Sequence, residues 1–489
     1  MPISLTQLIR DSPYQSYLYS YPHKTAYRPL KKPIDLQTIW HQENKTSLFL
    51  YIHIPFCAMR CGFCNLFTLA QPRGDIAQRY VDQLIQQMRV TSEFLSSNQN
   101  HHFNAFACGG GTPTFLEAEQ LNRIFTSAHE TLGLNLQQLC GGIETSPETA
   151  TAERLQVCRD FGFKRISMGL QSFYAAEVQA LARKQKWQDV DAAIHRIRQH
   201  NFPILNLDLI YGIPGQTVQT FLDTLGATLR YAPEELYLYP LYVRPLTGLK
   251  KIATNAQKHH DKKNIQLVQQ HQQALDLRLE MYTAARDYLL TQGYEQISMR
   301  MFKHKNLNTL HMPDDKNNPI SNALKANTTK QANNTIGLKE LSYSCQNDGM
   351  VGLGCGARSY ARNLHYSEEY GIARSRVSDI LNNYCNRNPQ DFKTARYGIA
   401  ISKQEQRRRF AIQSLLLCTG LSLANYTKRF GSHCMSDLPQ LQELLDLNLA
   451  TLTQEKLLLT QKGISHADAI GPWLISPEVR QRMQAYELT

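Results

Sequence analysis

Residues 51–64, YIHIPFCAMRCGFC, place three cysteines directly after a short apolar run. The run predicts a buried strand, and Cys57, Cys61 and Cys64 follow it with the spacing C-x3-C-x2-C. A closed structural zinc site takes four protein ligands, and the next residues, Asn-Leu-Phe, offer no fourth. A cubane [4Fe–4S] cluster takes one thiolate per iron, so three thiolates leave one iron open. We therefore expect a metal centre with an open position; zinc completed by a distant cysteine and three merely buried thiols are the alternatives.

The composition is that of a globular protein large enough for two or three domains. The 489 residues are 42% hydrophobic and 19% charged, and no apolar run approaches the roughly 18 residues of a membrane span. The first residues show no basic segment followed by an apolar stretch, so we expect no signal peptide and a cytoplasmic location. Eleven cysteines, an odd number, argue against a disulfide framework. The net charge of +12 suits an acidic small substrate, a nucleic acid or a membrane surface, and equally a plain solvated basic surface.

Short apolar runs alternate with amphipathic stretches of helical length from Ser47 onward. The runs predict six strands: Leu48–Ile54, Phe103–Cys108, Cys140–Thr145, Arg165–Leu170, Ile204–Tyr211 and Leu236–Leu241. Between them, helices are predicted over Ile76–Leu95, Glu148–Phe161 and Thr217–Leu229. Such β-then-α units in series predict an α/β fold with a parallel sheet, a partial (β/α)6 TIM-like barrel. Functional groups should lie at the carboxyl ends of its strands.

Four regions follow from the composition along the chain. Residues 1–46 are rich in Tyr and Pro without a helical period, which predicts an N-terminal extension that wraps the surface. Residues 47–300 form the predicted barrel. Residues 301–400 combine a segment expected to cover the substrate with an Asn-, Lys- and Thr-rich insertion or linker at 305–335, which we expect to be disordered. Residues 401–489 predict helices followed by a small β-hairpin, a C-terminal helical domain of winged-helix-like pattern.

Polar and glycine-rich motifs follow several of the predicted strands. Residues 108–114, CGGGTPT, follow the second strand; the glycines let backbone amides approach a ligand, with a plain tight turn as the alternative. Glu144 ends the third strand, where a carboxylate can hold ribose hydroxyls or simply be an exposed side chain, and Gln171 and Ser172 end the fourth. Asp208 lies inside an apolar strand. A buried carboxylate there needs a partner or a ligand, because burying it unpaired costs too much.

These motifs make the chain resemble the radical S-adenosylmethionine (SAM) enzymes, whose cluster motif is C-x3-C-x2-C. The resemblance implies that Cys57, Cys61 and Cys64 hold a [4Fe–4S] cluster whose open iron binds the amino and carboxylate groups of SAM. It also implies that the reduced cluster cleaves SAM to a 5′-deoxyadenosyl radical, which abstracts hydrogen from the substrate. A low-potential electron carrier such as flavodoxin or ferredoxin would reduce the cluster.

The motifs YIHIPFC, GGGTP, GLQSF and NLDLIYGIPGQ, in this order, resemble the coproporphyrinogen III dehydrogenase-like branch of that family, across residues 47–300 and the C-terminal domain. The resemblance implies an oxidoreductase of porphyrin or heme metabolism, with coproporphyrinogen III, another tetrapyrrole or another small molecule as substrate. The residues that match the SAM contacts of the branch are Tyr51, Phe63, Gly110, Gly111, Thr112, Glu144, Gln171, Arg183 and Asp208. Arg183 and Asp208 are the expected catalytic members of this set.

The chain also departs from that branch. The dehydrogenase has a further cysteine two positions after the third ligand, where this chain has Leu66. The related heme chaperone carries a His-Asn-x-x-Tyr-Trp segment before a glycine turn; this chain keeps the turn, at 352–357, and lacks the segment. A third subgroup with its own substrate and a heme-binding carrier are therefore the alternatives. An RNA-modifying member would need cysteines ahead of Cys57, and the sequence has none, so nucleic acid is not an expected partner.

Three further features have both a functional and a structural interpretation. The turn at 352–357, followed by Arg358, could close over the substrate or be a plain glycine turn. Arg244 could pair with a propionate or another carboxylate, since arginine forks suit carboxylates, or lie on the surface. Cys345 and Cys355 could form a redox pair or serve a second cluster, although buried free thiols are the favoured interpretation.

Overall fold

The computed structural model describes residues 4–97, 100–259, 277–305 and 349–487. In chain order its strands are β1 (Arg28–Asp35), β2 (Leu48–Ile54), β3 (Phe56–Cys57), β4 (Leu69–Ala70), β5 (Phe103–Gly110), β6 (Cys140–Thr145), β7 (Arg165–Gln171), β8 (Ile204–Tyr211), β9 (Glu235–Pro240), β10 (Tyr294–Gln296), β11 (Met301–His304), β12 (Met350–Leu353), β13 (Arg358–Tyr360), β14 (Leu364–Ser367), β15 (Thr394–Ala400), β16 (Leu421–Ser422), β17 (Ala450–Leu452) and β18 (Lys456–Leu459). The α-helices span Leu5–Asp11, Leu36–His41, Ile76–Leu95, Ala118–Leu132, Ala152–Phe161, Ala175–Ala180, Trp187–Gln199, Val218–Leu229, Gly248–His259, Arg278–Thr291, Arg374–Cys385, Lys403–Leu415, Leu423–Phe430, Cys434–Asp437, Gln442–Asp446, Gln461–Ser465, Ala467–Trp473 and Pro477–Gln484. Short 3-10 helices add Lys24–Ala26, Pro113–Phe115, Pro389–Lys393 and Pro439–Leu441.

One large sheet organises the molecule. Within the described residues it has thirteen strands, in the order β1-β15-β14-β13-β12-β2-β5-β6-β7-β8-β9-β11-β10. Strands β2, β5, β6, β7, β8 and β9 run parallel in chain order, and β12 pairs in parallel with β2 on its other side. The sheet stays open, because β1 and β10 form its two ends. The predicted α/β fold with a parallel sheet and helical crossovers is confirmed.

The two faces of the parallel strands pack differently. Along β2, Leu50 and Ile52 belong to the main core together with side chains of helix Ile76–Leu95. Phe49 and Tyr51 alternate with them and belong to a separate small cluster on the inner face of the sheet. This period of two leaves the inner face available to aromatic and polar side chains.

The N-terminal region is more integrated than the sequence predicts. We expected residues 1–46 to wrap the surface without a helical period, yet the described part contains two helices and strand β1, which pairs with β15 at one end of the sheet. Tyr21, Tyr27 and Trp40 are fully buried, and Trp40 Nε1 donates to the Tyr366 hydroxyl over 2.9 Å. The aromatic side chains explain the difference, because each buries a large apolar area while its polar tip finds a hydrogen-bond partner.

The C-terminal region builds a second core around the three-stranded sheet β16-β18-β17. Helices precede the β17-β18 hairpin, in the order that the sequence predicts. Arg300, next to β11 of the large sheet, forms a buried ion pair with Asp468 of this region. The domain boundaries at residues 46, 300 and 400 stay predictions.

Two predictions fall outside the described residues. They are the insertion at 305–335, apart from Lys305, and the thiol of Cys345. Its suggested partner Cys355 is fully buried, as the favoured interpretation expects. In the described ranges, no helix is both long and apolar enough to cross a membrane.

Candidate active site

The cysteine motif forms a loop closed by a short parallel strand pair. Strand β3, which ends at Cys57, pairs with β4. Inside the loop, the Gly62 N–H donates to the Leu181 carbonyl over 2.9 Å, and the Gly62 carbonyl accepts from the Leu249 N–H over 2.8 Å. A Cβ on Gly62 would lie 2.8 Å from the Leu181 oxygen. The loop is therefore held by two neighbouring segments that tolerate only glycine at this point.

The turn after β5 brings backbone directly against the first cysteine. The Gly111 N–H donates to the Ile54 carbonyl over 2.8 Å, and a Cβ on Gly111 would lie 2.9 Å from Cys57 Sγ. Thr112 Oγ1 donates to the same sulfur over 3.6 Å. Gly110 has a φ of +117°, a backbone conformation that favours glycine. The glycines thus keep open the space beside the thiol.

Two carboxylates lie at the same end of the sheet. The Glu144 side chain is exposed, and its Oε2 accepts a hydrogen bond from the Gly110 N–H over 3.1 Å. Asp208 Oδ1 accepts from Asn206 Nδ2 over 2.8 Å. Desolvation by the surrounding protein, together with the charge of Asp208, raises the pKa of Glu144 to about 7. Desolvation raises the pKa of Asp208 to about 6. Both carboxylates could bind the hydroxyls or a cation of a ligand. These ligand groups would replace the interactions that water otherwise supplies to the carboxylates.

Arg183 connects the loop after helix Ala175–Ala180 to the cysteine motif. Its Nη1 donates to Cys61 Sγ over 3.4 Å, its Nη2 to the Gly169 carbonyl over 2.9 Å and its Nε to Gln185 Oε1 over 2.7 Å. The guanidinium is thereby fixed in one orientation with its positive charge beside a thiol. A cluster bound through Cys61 would therefore receive a hydrogen bond from a fixed cation.

One cavity of about 200 Å³ collects these groups at the carboxyl ends of the parallel strands. Of the residues predicted to bind the cluster or SAM, its wall contains Cys57, Cys61, Cys64, Phe63, Gly110, Gly111, Thr112, Glu144, Gln171, Arg183 and Asp208. Tyr51 is outside the wall; its hydroxyl lies 3.4 Å from His53 Nδ1 on the inner face of β2. Motifs from separate strands therefore meet in one place. The roles of the individual residues as ligands and SAM contacts stay predictions.

His53 is a residue of this region that the sequence analysis missed. It is 5% exposed, its Nε2 lies 3.0 Å from the Phe67 carbonyl, and its ring leaves no room for a Cβ on Gly110 or Gly356. Burial lowers the pKa of His53 to about 4, so the ring is neutral and donates from Nε2 to the carbonyl. The signal was present, because a histidine inside the apolar run YIHIP needs a partner when it is buried.

The turn at 352–357 packs behind this histidine instead of closing over the cavity. A Cβ on Gly356 would meet the His53 ring at 2.6 Å, and one on Gly354 would lie 2.7 Å from the His53 carbonyl oxygen. Arg244 lies with its guanidinium carbon 4.4 Å from the centroid of the Tyr242 ring. In the described ranges, neither the turn nor Arg244 contributes to the cavity wall. The structure favours the plain glycine turn.

The donor set fits an iron–sulfur cluster. Across the described parts of the chain, no three His, Cys, Asp or Glu side chains are arranged to hold a single metal ion. A cubane cluster does not need that convergence, because each thiolate binds a separate iron. Thr112 and Arg183 direct donors at the sulfurs of Cys57 and Cys61, and Gly111 leaves free the space that a side chain would fill.

The family comparisons agree with this geometry. Residues 51–227 match the model of the radical SAM superfamily. The chain carries a radical SAM domain. Residues 401–466 match the HemN C-terminal domain. The match of residues 51–227 to this superfamily implies a [4Fe–4S] cluster and SAM as cofactors, and the cysteine loop and its cavity fit both.

Curated relatives cover most of the chain. The oxygen-independent coproporphyrinogen III oxidase of Helicobacter pylori J99 is 26% identical over 86% of this chain and 84% of the relative. The enzyme of that name from Pseudomonas aeruginosa is 27% identical over 91% of this chain and 89% of the relative. The heme chaperone HemW of Bacillus subtilis is 28% identical, over 53% of this chain and 65% of the relative.

A solved structure has the same fold. The coproporphyrinogen III oxidase HemN from Escherichia coli superposes with a TM-score of 0.68, covering 96% of this chain and 98% of that one, at 22% identity. The likeness extends from the N-terminal region to the C-terminal helical region, and it concerns the fold.

Proposed function

We propose that the protein is a radical SAM oxidoreductase of the oxygen-independent coproporphyrinogen III oxidase kind, acting on a tetrapyrrole in porphyrin or heme metabolism. One observation carries the proposal: the three thiols of the C-x3-C-x2-C motif meet the turn 110–112 and the carboxylates of Glu144 and Asp208 in a single cavity. Relatives named oxygen-independent coproporphyrinogen III oxidase, aligned over most of the chain, support the choice of substrate.

The residues around the cavity can bind and orient SAM. When bound, the reduced cluster and SAM would supply the radical that abstracts hydrogen from the substrate. Glu144 and Asp208 would accept hydrogen bonds from ribose hydroxyls, and the glycines of turn 110–112 would let SAM approach the backbone. Arg183 adds a fixed cation beside Cys61, which suits the carboxylate of SAM.

Coproporphyrinogen III is a tetracarboxylate, and the net charge of +12 suits an acidic substrate. A propionate side chain that loses one hydrogen atom, one electron and carbon dioxide becomes a vinyl group, so an electron acceptor takes part in addition to a low-potential donor such as flavodoxin or ferredoxin.

We place the protein in the cytoplasm. Support comes from the cysteines of the described residues, all of which are free thiols, as in a reducing compartment.

A different substrate is the second candidate. Leu66, at the position where the dehydrogenase carries a further cysteine, is 45% exposed on the cysteine loop. An exposed apolar side chain cannot replace a thiol in metal binding or redox chemistry. A heme carrier, in which the cluster serves stability, is the rival of another class. It predicts tight heme binding without substrate-dependent consumption of SAM.

The test is anaerobic turnover. The cluster is reconstituted, SAM, a reductant, an electron acceptor and coproporphyrinogen III are added, and the tetrapyrrole is followed by mass spectrometry. Loss of carbon dioxide together with formation of 5′-deoxyadenosine supports the proposal. Cys61→Ala should abolish SAM cleavage, whereas Cys385→Ala, a half-buried thiol outside the cavity wall, should leave it unchanged. If the cluster is intact and the tetrapyrrole is unaltered, the protein has a different substrate or is a heme carrier. Tight heme binding would then identify the heme carrier.

A further inference from the structure

The N-terminal region brings a lysine to the cysteine loop. Lys24 Nζ lies 3.6 Å from the centroid of the Tyr370 ring. The Tyr370 hydroxyl donates to the carbonyl of Asn65, the residue after Cys64. The ammonium group is therefore next to the loop that holds the predicted cluster, although it comes from a segment far away in the chain.

An arginine shares this location. Arg358, the first residue of β13, donates from Nη1 to the Tyr19 hydroxyl over 2.9 Å, and its guanidinium carbon lies 5.0 Å from the Tyr19 ring centroid. Its Nε is buried and has no hydrogen-bond partner. The charge of Lys24 acts on the same phenol. Tyr19 therefore interacts with both cations, and Arg358 keeps one N–H donor without a hydrogen-bond partner.

The location has a surplus of positive charge. The ion pairs among the described residues include neither Lys24 nor Arg358. Burial raises the pKa of Tyr19, but Arg358 and Lys24 outweigh it and lower that pKa to about 8. Burial and the same two cations lower the pKa of His23 well below its usual value, so His23 adds no charge. A phenol drawn toward ionisation by two cations marks a place where an anion is favoured.

We propose that Lys24 and Arg358 form a carboxylate-binding subsite that holds an acidic group of the substrate beside the cysteine loop. Arginine offers a planar fork that matches a carboxylate, lysine adds a point charge, and the rings of Tyr19 and Tyr370 form apolar walls. The subsite rests on the proposed function only for the identity of the substrate.

The N-terminal segment is held firmly enough to position this lysine. The Ser16 N–H donates to the Asp468 carbonyl over 3.2 Å, and the Tyr21 carbonyl accepts from Arg409 Nη1 over 2.6 Å. These contacts fix the chain on both sides of Tyr19 and just before Lys24. A preorganised cation loses little entropy when the anion binds, which favours affinity.

The test measures binding to the full-length protein with its cluster reconstituted anaerobically. The probe is coproporphyrin III, the stable fluorescent tetracarboxylate, compared with its uncharged tetramethyl ester. Lys24→Met and Arg358→Met should each weaken binding of the acid about tenfold, the effect of one lost charge-assisted hydrogen bond. Lys24→Arg should restore most of the affinity. Lys31→Met, an exposed lysine on β1, is the matched control and should bind as the wild type does. Binding of the ester should not respond to any of these changes.

Two outcomes separate this inference from the proposed function. If Lys24→Met binds coproporphyrin III as tightly as the wild type, the subsite is overturned, whether or not the tetrapyrrole is a substrate. If the wild type does not bind coproporphyrin III, the tetrapyrrole proposal loses support and tricarballylate, a small tricarboxylate, becomes the probe. Thermal stabilisation of the wild type by tricarballylate that is lost in both Met variants then supports the subsite. No stabilisation, or stabilisation by inorganic phosphate instead, overturns it.

Discussion

The Cα of Gly111 lies so close to Cys57 that a Cβ there would be 2.9 Å from the cysteine Sγ. The same Cβ would be 2.5 Å from the Phe56 carbonyl oxygen. Neither the backbone carbonyl nor the cysteine sulfur can give way without moving the loop. We therefore expect Gly111→Ala to displace Cys57 and to lower the iron and acid-labile sulfide bound per chain after reconstitution.

The measurement is iron content and the cluster absorbance, with far-UV circular dichroism to establish that the fold is retained. Gly226→Ala is the control, because a Cβ in that helix would meet only the Tyr288 hydroxyl, at an ordinary 3.6 Å. A fully loaded Gly111→Ala protein would show that the close approach has no bearing on the cluster.

Arg183 should make the cluster easier to reduce. Its Nη1 donates to Cys61 Sγ over 3.4 Å, and hydrogen bonds and positive charge at a cluster sulfur raise the reduction potential. In Arg183→Met we expect a more negative midpoint potential in a redox titration followed by electron paramagnetic resonance. Lys184→Met, which removes an exposed neighbouring charge, should leave the midpoint nearly unchanged. Equal shifts in both variants would mean that overall charge, and not the hydrogen bond, sets the potential.

The parallel core of the fold could be predicted because its strands are buried on both faces. Such strands read as continuous apolar runs, and Leu48–Ile54 and Ile204–Tyr211 have the predicted bounds. The ends of the strands are harder to predict where a charged side chain is buried. Strand β9 begins at Glu235, one residue before the predicted start, and this carboxylate is hidden by a buried ion pair with Arg165 at 2.6 Å. The sequence around Glu235 does not predict that a distant arginine pairs with it.

The missed features depend on contacts distant in the chain. Strand β12 places Met350 opposite Phe49, and such a register follows only from the folded sheet. Lys24 belongs to a segment interpreted as surface, yet it reaches the cysteine loop through Tyr370. The cavity wall, by contrast, could be anticipated, since parallel strands bring their carboxyl ends to one edge.

His53 should make stability depend on pH in mildly acidic solution. Burial lowers the pKa of His53 to about 4 in the folded protein, below its usual value of 6.5. The unfolded chain therefore binds a proton between these values that the folded one does not, and stability is lost as pH falls from 6.5 toward 4. His53→Phe removes this contribution, so its free energy of unfolding should fall less steeply over that range. Urea unfolding at several pH values measures the slope, and the exposed His41→Phe should keep the wild-type slope. An unchanged slope in His53→Phe would contradict the assignment.

Asp468 should link three regions of the chain. Its carboxylate, 2% exposed, accepts hydrogen bonds from Arg300 and from the Tyr242 hydroxyl, and its carbonyl accepts from the Ser16 N–H over 3.2 Å. Asp468→Asn leaves the Arg300 charge buried without its anion, a change that typically costs about 3–5 kcal/mol. We expect that loss in urea unfolding, with faster proteolysis of the N-terminal segment. The double variant with Arg300→Met should recover part of it, since the unpaired charge is gone, and the exposed Glu455→Gln should change little. A loss below about 1 kcal/mol in Asp468→Asn would place the pair among weakly coupled ion pairs, and the N-terminal segment would then be held chiefly by its buried tyrosines.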